Sequence, residues 1–212
     1  MPYPSYESLR ESSLVELNLE AHRLYWTLQD PIQSSIFVMD EVNNPAAPRQ
    51  PCFLSGPAAD RSSPHSHPIT NHSLCEPPIS SITVGVDELQ DIADFWEDEH
   101  NYAQGDDPKG PCRCCGLRPP PYDVKLTIVA SNKDQFVTIG DYITAVHPWL
   151  MSFRGEFLRN TGGGKPLPED TKLMVSFPYP DNVIVENDTA WISSQSIIIF
   201  GRQRRAEEAQ WL

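Results

Sequence analysis

Alternating and helical hydrophobic patterns divide this chain into a few structured segments. Residues 124–130 alternate apolar and polar positions and are rich in β-branched side chains, which predicts a strand. Residues 36–39 form a short apolar run that predicts a buried strand. In residues 86–96, apolar side chains recur at helical spacing with aspartates on another face, and this predicts an amphipathic helix. Residues 14–28 fit either a strand or a helix, and the pattern leaves both open.

The second half of the chain carries a clear helix start followed by a run of strands. Thr138 precedes Asp141 by three positions, an arrangement that resembles a capping box. The apolar pattern after it predicts a helix that Pro148 kinks or ends. Three strands are predicted after this helix, at 172–177, 182–186 and 196–200. A strand, a helix and a run of strands indicate an α+β fold, which we expect to be a small, mostly antiparallel sheet with two or three packed helices.

Proline-rich stretches interrupt these patterns. The chain of 212 residues contains 21 prolines, about twice the usual frequency, and many of them lie in residues 42–80. Since proline removes a backbone donor and fixes φ, residues 42–80 and 97–121 are predicted to be long irregular insertions. We expect a single domain at 14–201, a flexible N-terminal tail at 1–13 and a C-terminal tail at 202–212.

Charge and cysteine content restrict the function classes. The chain carries 29 acidic and 16 basic side chains, a net charge of -13, so it lacks the basic surface that nucleic acids and anionic membranes require. No apolar run approaches the roughly 18 residues of a membrane-spanning helix. The first residues show no secretory pattern, and an odd number of cysteines, 5, favours reduced thiols over a disulfide framework. The expected location is therefore intracellular, either cytoplasmic or nuclear, and the expected partner is another protein.

Three short motifs resemble a fungal domain family of unknown function. Residues 24–31 are similar to the family's Trp-x-Leu-x-Asp-Pro opening, although Thr27 stands where the family more often has an acid. Residues 126–129 (Leu-Thr-Ile-Val) match its strand, and residues 137–141 (Val-Thr-Ile-Gly-Asp) match its helix start. The similarity spans residues 24–150 apart from the insertions. It implies a fungal origin and an α+β fold, and it implies no mechanism.

The two insertions contain residues with the chemistry of zinc ligands. Zinc prefers four sulfur or nitrogen ligands in a tetrahedron. The second insertion supplies three thiols within four residues, and the first supplies further candidates; together these are Cys112, Cys114, Cys115, His65, His67, His72 and Cys75. Their spacing lacks the paired Cys-x-x-Cys knuckles of known zinc fingers, which favours an exposed thiol cluster in a flexible loop over a zinc site. We therefore assign no metal ligand and predict no cofactor.

Signals for catalysis are weak. The chain has no Gly-x-Ser-x-Gly elbow, and residues 160–165 lack the glycine and the serine or threonine that a phosphate loop requires. His147 has the chemistry of a general base, but a histidine near a helix end is more often a buried structural residue. We therefore assign no catalytic or cofactor-binding residue.

The leading hypothesis is a non-enzymatic intracellular module for protein–protein interaction, because long loops on a rigid scaffold commonly carry binding. Two alternatives stay open. The first is a small-molecule-binding or enzymatic accessory protein with a pocket near Tyr142, His147 and Trp149. The second is a zinc-stabilised adaptor that uses the Cys112–Cys115 cluster.

Overall fold

The computed structural model of the chain describes residues 3–54, 66–100, 110–116, 124–132, 135–160 and 165–195. The fold is α+β, as the sequence predicts. The helices are α1 (Tyr6–Arg10), α2 (Ile32–Ser35), α3 (Asp87–His100), α4 (Ile139–Met151) and α5 (Arg154–Asn160), with 3₁₀ turns at Leu19–Arg23 and Pro68–Asn71 and a further helical stretch at 188–195. The strands are β1 (Glu16–Leu17), β2 (Leu24–Trp26), β3 (Ile36–Met39), β4 (Arg49–Pro51), β5 (Cys75–Glu76), β6 (Ser81–Val86), β7 (Leu126–Val129), β8 (Leu173–Tyr179) and β9 (Asn182–Asn187).

Two sheets meet in the middle of the molecule. The larger has the order β7-β6-β9-β8, with β6 and β9 parallel and its other pairs antiparallel, and the smaller is the antiparallel β2-β3-β4. A bridge between Thr27 and Met174 connects them, and the Leu28 amide donates to the Leu173 carbonyl at 2.8 Å. The short strands β1 and β5 form a separate antiparallel pair. Residues of both sheets lie in the main hydrophobic core, and Tyr25, Met39, Ala47, Met174 and Trp191 form a second, smaller cluster.

Helix α4 is the central element of that core. The capping box is confirmed: the Asp141 amide donates to the Thr138 side chain at 3.0 Å, and the Asp141 carboxylate accepts from the Thr138 amide at 2.9 Å. Its inner face is fully buried. This face consists of His147 and five hydrophobic or aromatic side chains, which are Ile139, Tyr142, Ile143, Val146 and Leu150. Pro148 lies within the helix, which continues to Met151, so this proline does not end α4.

The described parts of the first insertion, residues 42–54 and 66–80, contribute side chains to the core. Ile69, Leu74 and Ile79 are each 1 % exposed or less, and the Leu74 amide donates to the Val137 carbonyl at 3.0 Å. A Cβ atom on Gly140 would lie 2.9 Å from the carbonyl oxygen of Thr70, so the 3₁₀ turn approaches α4 backbone to backbone. The expectation of an irregular segment over residues 42–80 is therefore wrong where β4, the 3₁₀ turn Pro68–Asn71 and β5 form, and apolar residues between the prolines are buried.

The structure also bears on the predictions for the N-terminal segment and for residues 14–28 and 196–200. Residues 6–10 of the expected flexible tail form α1, whose Tyr6 is 5 % exposed and whose Glu7 accepts from the Thr83 amide at 2.8 Å. Residues 14–28, for which the pattern allowed either a strand or a helix, form β1, a 3₁₀ turn and β2. The expected strand at 196–200 lies outside the described residues. Within the part of the chain that is described, no helix has the length and apolar character needed to cross a membrane.

Candidate functional site

Helix α3 confirms the amphipathic segment that the sequence predicts, and it extends to His100. Leu89 and Ala93 are buried, and half-buried Ile92 packs against the core. The first turn is held against β9, because the Asn182 side chain donates to Asp87 at 2.6 Å and the Val185 amide donates to Glu88 at 3.1 Å. The opposite side of the helix, consisting largely of acidic residues, faces solvent.

The exposed side of α3 presents one aromatic ring among carboxylates. Phe95 is 69 % exposed, which is unusual for so large an apolar side chain. Asp91, Asp98 and Glu99 are exposed and lie four residues before, three after and four after it, the spacings at which helical side chains are neighbours. Helix α3 contains no lysine or arginine. We call Asp91, Phe95, Asp98 and Glu99 the acidic face.

Beyond the end of α3, residues 112–116 form a tight turn that gathers the three thiols. The Gly116 amide donates to the Cys112 carbonyl at 2.7 Å, and Gly116 has a φ of 73°, a left-handed conformation that favours glycine. Cys112 is buried, whereas Cys114 and Cys115 are exposed. The Sγ atoms of Cys112 and Cys114 lie 2.8 Å apart without a disulfide bond, and the Cys114 amide donates to the Cys112 sulfur at 3.3 Å.

The hydrogen bond between these two thiols shifts their pKa values in opposite directions. Hydrogen bonding from Cys114 lowers the pKa of Cys112 to about 7, because the thiolate of Cys112 accepts from the neighbouring thiol and from backbone amides. The same bond raises the pKa of Cys114 to about 12, because Cys114 then keeps the proton that it donates. The pair therefore loses its first proton near neutral pH and retains the second.

His100, the last residue of α3, faces the cysteine turn. Its ring stacks on Trp96 with centroids 4.4 Å apart, and its Nδ1 lies 2.8 Å from the Trp96 carbonyl oxygen. Since a carbonyl only accepts, Nδ1 is the donor in this bond, which leaves Nε2 as the ring nitrogen available to bind an ion. The ligand atoms of His100, Cys112, Cys114 and Cys115 all lie within 4.8 Å of one another. We call these four residues the cysteine–histidine cluster.

The sequence pointed to the three thiols and missed their fourth member. His100 lies at the end of an otherwise acidic helix, and only the fold brings it to the turn. Of the histidines and the cysteine proposed from the first insertion, His67 accepts from the Ile69 amide at 3.2 Å, and neither it nor His72 nor Cys75 belongs to the cluster. His65 lies outside the described residues.

The aromatic residues considered for a small-molecule pocket occupy the core. Tyr142 is 0 % exposed and His147 2 %, whereas Trp149 is half-buried and contacts Phe153 edge-on with centroids 6.0 Å apart. The Trp26 indole donates to His147 Nδ1 at 3.0 Å, which ties the ring to β2. Burial lowers the pKa of His147, which keeps the ring neutral inside the core.

Comparisons with known proteins return no family model, no curated protein and no solved structure that matches the chain. Two features lie on the surface and are joined by α3: the acidic face along its length and the cysteine–histidine cluster at its carboxyl end.

Proposed function

We propose that the protein is an intracellular, non-enzymatic interaction module that binds a basic segment of a partner protein through the acidic face of α3. The observation that carries this proposal is Phe95, 69 % exposed and surrounded by carboxylates. An aromatic ring among charges of one sign matches a partner segment with an apolar pocket or stripe bordered by lysine and arginine.

The two components of the acidic face contribute differently to binding. Exposed ion pairs each stabilise by about 0–1 kcal/mol and are screened by salt, so Asp91, Asp98 and Glu99 mainly steer the partner and select its charge. Burying an exposed phenylalanine contributes about 1.5–3 kcal/mol, which makes Phe95 the main source of affinity. The net charge of -13 adds long-range attraction for a basic protein and repulsion for nucleic acids.

The buried aromatic residues favour this function over a pocket near Tyr142, His147 and Trp149. A ligand would have to open the core to reach His147, which is 2 % exposed and bonded to Trp26. Such an opening would expose several large aromatic side chains, and the cost of exposing each is about 1.5–3 kcal/mol. The relation to the fungal family stays a prediction that the motifs at 24–31, 126–129 and 137–141 support.

A defined peptide tests the acidic face. The probe is a synthetic 14-residue amphipathic helix of lysine and leucine, and its affinity for the full chain is measured by fluorescence anisotropy at two salt concentrations. We expect Phe95→Ala to weaken binding about tenfold, equivalent to about 1.4 kcal/mol. We expect the double variant Asp91→Asn/Asp98→Asn to lose more peptide affinity at low salt than at high salt, because salt screens the charges that it removes.

The control removes the same charge elsewhere. Glu169 and Asp170 are exposed and lie between α5 and β8, so Glu169→Gln/Asp170→Asn matches the double variant in charge. It should leave the affinity within about twofold. If this control weakens binding as much as Asp91→Asn/Asp98→Asn does, and Phe95→Ala leaves the affinity unchanged, the peptide senses only net charge and the proposal is wrong.

A further inference from the structure

We propose that His100, Cys112, Cys114 and Cys115 bind a single Zn²⁺ as a closed structural site at the carboxyl end of α3. This inference goes beyond the interaction function and does not depend on it, because it concerns residues outside the acidic face. Its basis is the convergence of three thiols and one imidazole from two separate segments, with all ligand atoms within 4.8 Å of one another.

The spacing of the cluster suits a tetrahedral ion. Zinc–sulfur bonds of about 2.3 Å place two sulfur ligands about 3.8 Å apart, which lies inside the 4.8 Å limit of the cluster. The Cys112 and Cys114 sulfurs, 2.8 Å apart, have to separate by about 1 Å to reach that edge length. A side-chain rotation is sufficient for this, because Cys114 is exposed and its χ1 torsion can adjust.

Hydrogen bonds with the backbone already orient the side chains of the cysteine–histidine cluster. Metal-bound histidines usually donate their second ring nitrogen to a carbonyl or carboxylate, which orients the ring, and His100 does so to Trp96 at 2.8 Å. The Cys114 amide donates to the Cys112 sulfur at 3.3 Å, an interaction that stabilises thiolate ligands. The left-handed Gly116 closes the turn, so that the adjacent Cys114 and Cys115 both reach the cluster.

The ligand set selects the ion and its role. Three sulfur ligands disfavour magnesium and calcium, which prefer oxygen, and three thiols with one imidazole form a known structural zinc set. Binding replaces thiol protons: Zn²⁺ and three thiols give a complex of charge -1 and three released protons, with the neutral imidazole as fourth ligand. Four protein ligands leave no position for a substrate or an activated water, which makes the site structural.

The site would also secure a helix end that its own sequence destabilises. The last turn of α3 carries Glu97, Asp98 and Glu99, whose negative charges are unfavourable at the carboxyl end of a helix. Ligation of His100 ties this turn to the segment at 112–116 by metal–ligand bonds, which replaces the missing electrostatic stabilisation with a cross-link.

Metal analysis of the full chain tests the inference. Protein stripped by chelator under reducing conditions is titrated with Zn²⁺ alone, and native mass spectrometry and a competing chromophoric chelator report stoichiometry and affinity. We expect one zinc per chain, and Co²⁺ in its place should give the visible absorption of a tetrahedral thiolate site. His100→Ala and Cys115→Ser should each weaken zinc binding at least about 100-fold, because each removes one of four ligands.

His72→Ala is the matched control, since His72 is an exposed histidine outside the cluster. It should bind zinc like the unaltered chain, and near-UV circular dichroism verifies that every variant keeps the core. An unaltered chain that takes up no zinc overturns the inference, and so does a His100→Ala variant with unchanged affinity. Peptide binding to the acidic face is measured separately, so failure of either proposal is recognised independently of the other.

Discussion

The carboxyl group of Glu88 makes the stability of this protein depend on pH in an unusual direction. Its Oε1 accepts from the Val185 amide at 3.1 Å, but its buried Oε2 has no hydrogen-bond partner among the described residues. Burial raises the pKa of Glu88 to about 7; the backbone hydrogen bonds lower it, and the charges of Asp87 and Glu186 raise it slightly. The ordinary pKa of this group is 4.5, so the folded protein holds a proton that the unfolded chain releases.

The sign and size of the effect follow from this difference. Between pH 4.5 and about 7, unfolding releases the proton of Glu88, so the free energy of unfolding falls as the pH rises and becomes constant above this window. A separation of roughly 2.5 pKa units corresponds to about 3 kcal/mol. Histidines buried in neutral form, such as His147, act in the opposite direction, because their folded pKa is lowered.

Urea unfolding at pH 5, 6, 7 and 8 measures this effect when the unaltered chain is compared with Glu88→Gln. The variant keeps an acceptor for Val185 and loses the titration, while His147 contributes equally to both proteins and cancels. We expect the stability advantage of Glu88→Gln to grow by about 2.5 kcal/mol from pH 5 to pH 8, because this range covers most of the titration window. If the two pH profiles run parallel, Glu88 titrates normally and the argument from burial is refuted.

Two further predictions concern the start of α4. Thr138→Ala removes the side-chain acceptor of the Asp141 amide and should lower the free energy of unfolding in urea by about 1 kcal/mol; an unchanged midpoint would contradict the capping geometry. Gly140→Ala should destabilise by about 1–3 kcal/mol, because the added methyl group meets the Thr70 carbonyl oxygen at 2.9 Å. Gly155→Ala, inside α5 and 3.7 Å from only a flexible arginine, should instead be neutral or stabilising, and equal losses in both variants would refute the clash.

Local patterns were sufficient for the elements whose chemistry is contained in a short window. The amphipathic helix α3 and the capping box at Thr138 and Asp141 follow from side chains spaced three or four residues apart, and β3 follows from a short apolar run. The α+β class follows from the order of such elements. The parallel pairing of β6 with β9 depends on contacts between segments about 100 residues apart, so no local pattern specifies it.

The candidate sites were predictable only where their residues are adjacent in sequence. Cys112, Cys114 and Cys115 stand out as a group, but His100 joins them through the path of the chain after α3. Likewise Ile69 and Leu74 lie among prolines without any periodicity, and their burial is decided by packing against α4. The solvent exposure of Phe95 could not be predicted either. A helical pattern indicates on which side of the helix a residue lies, but it does not indicate which other residues cover that side.

The close approach of Gly140 to Thr70 has a consequence for how this chain can evolve. The atom that an added methyl group would meet is a main-chain oxygen, which every amino acid at position 70 would present in the same place. No substitution at position 70 can therefore accommodate a larger residue at position 140. A larger residue there requires the whole turn Pro68–Asn71 to move away from α4. Such a movement would pull Ile69 out of the core, so the two segments have to change together or not at all.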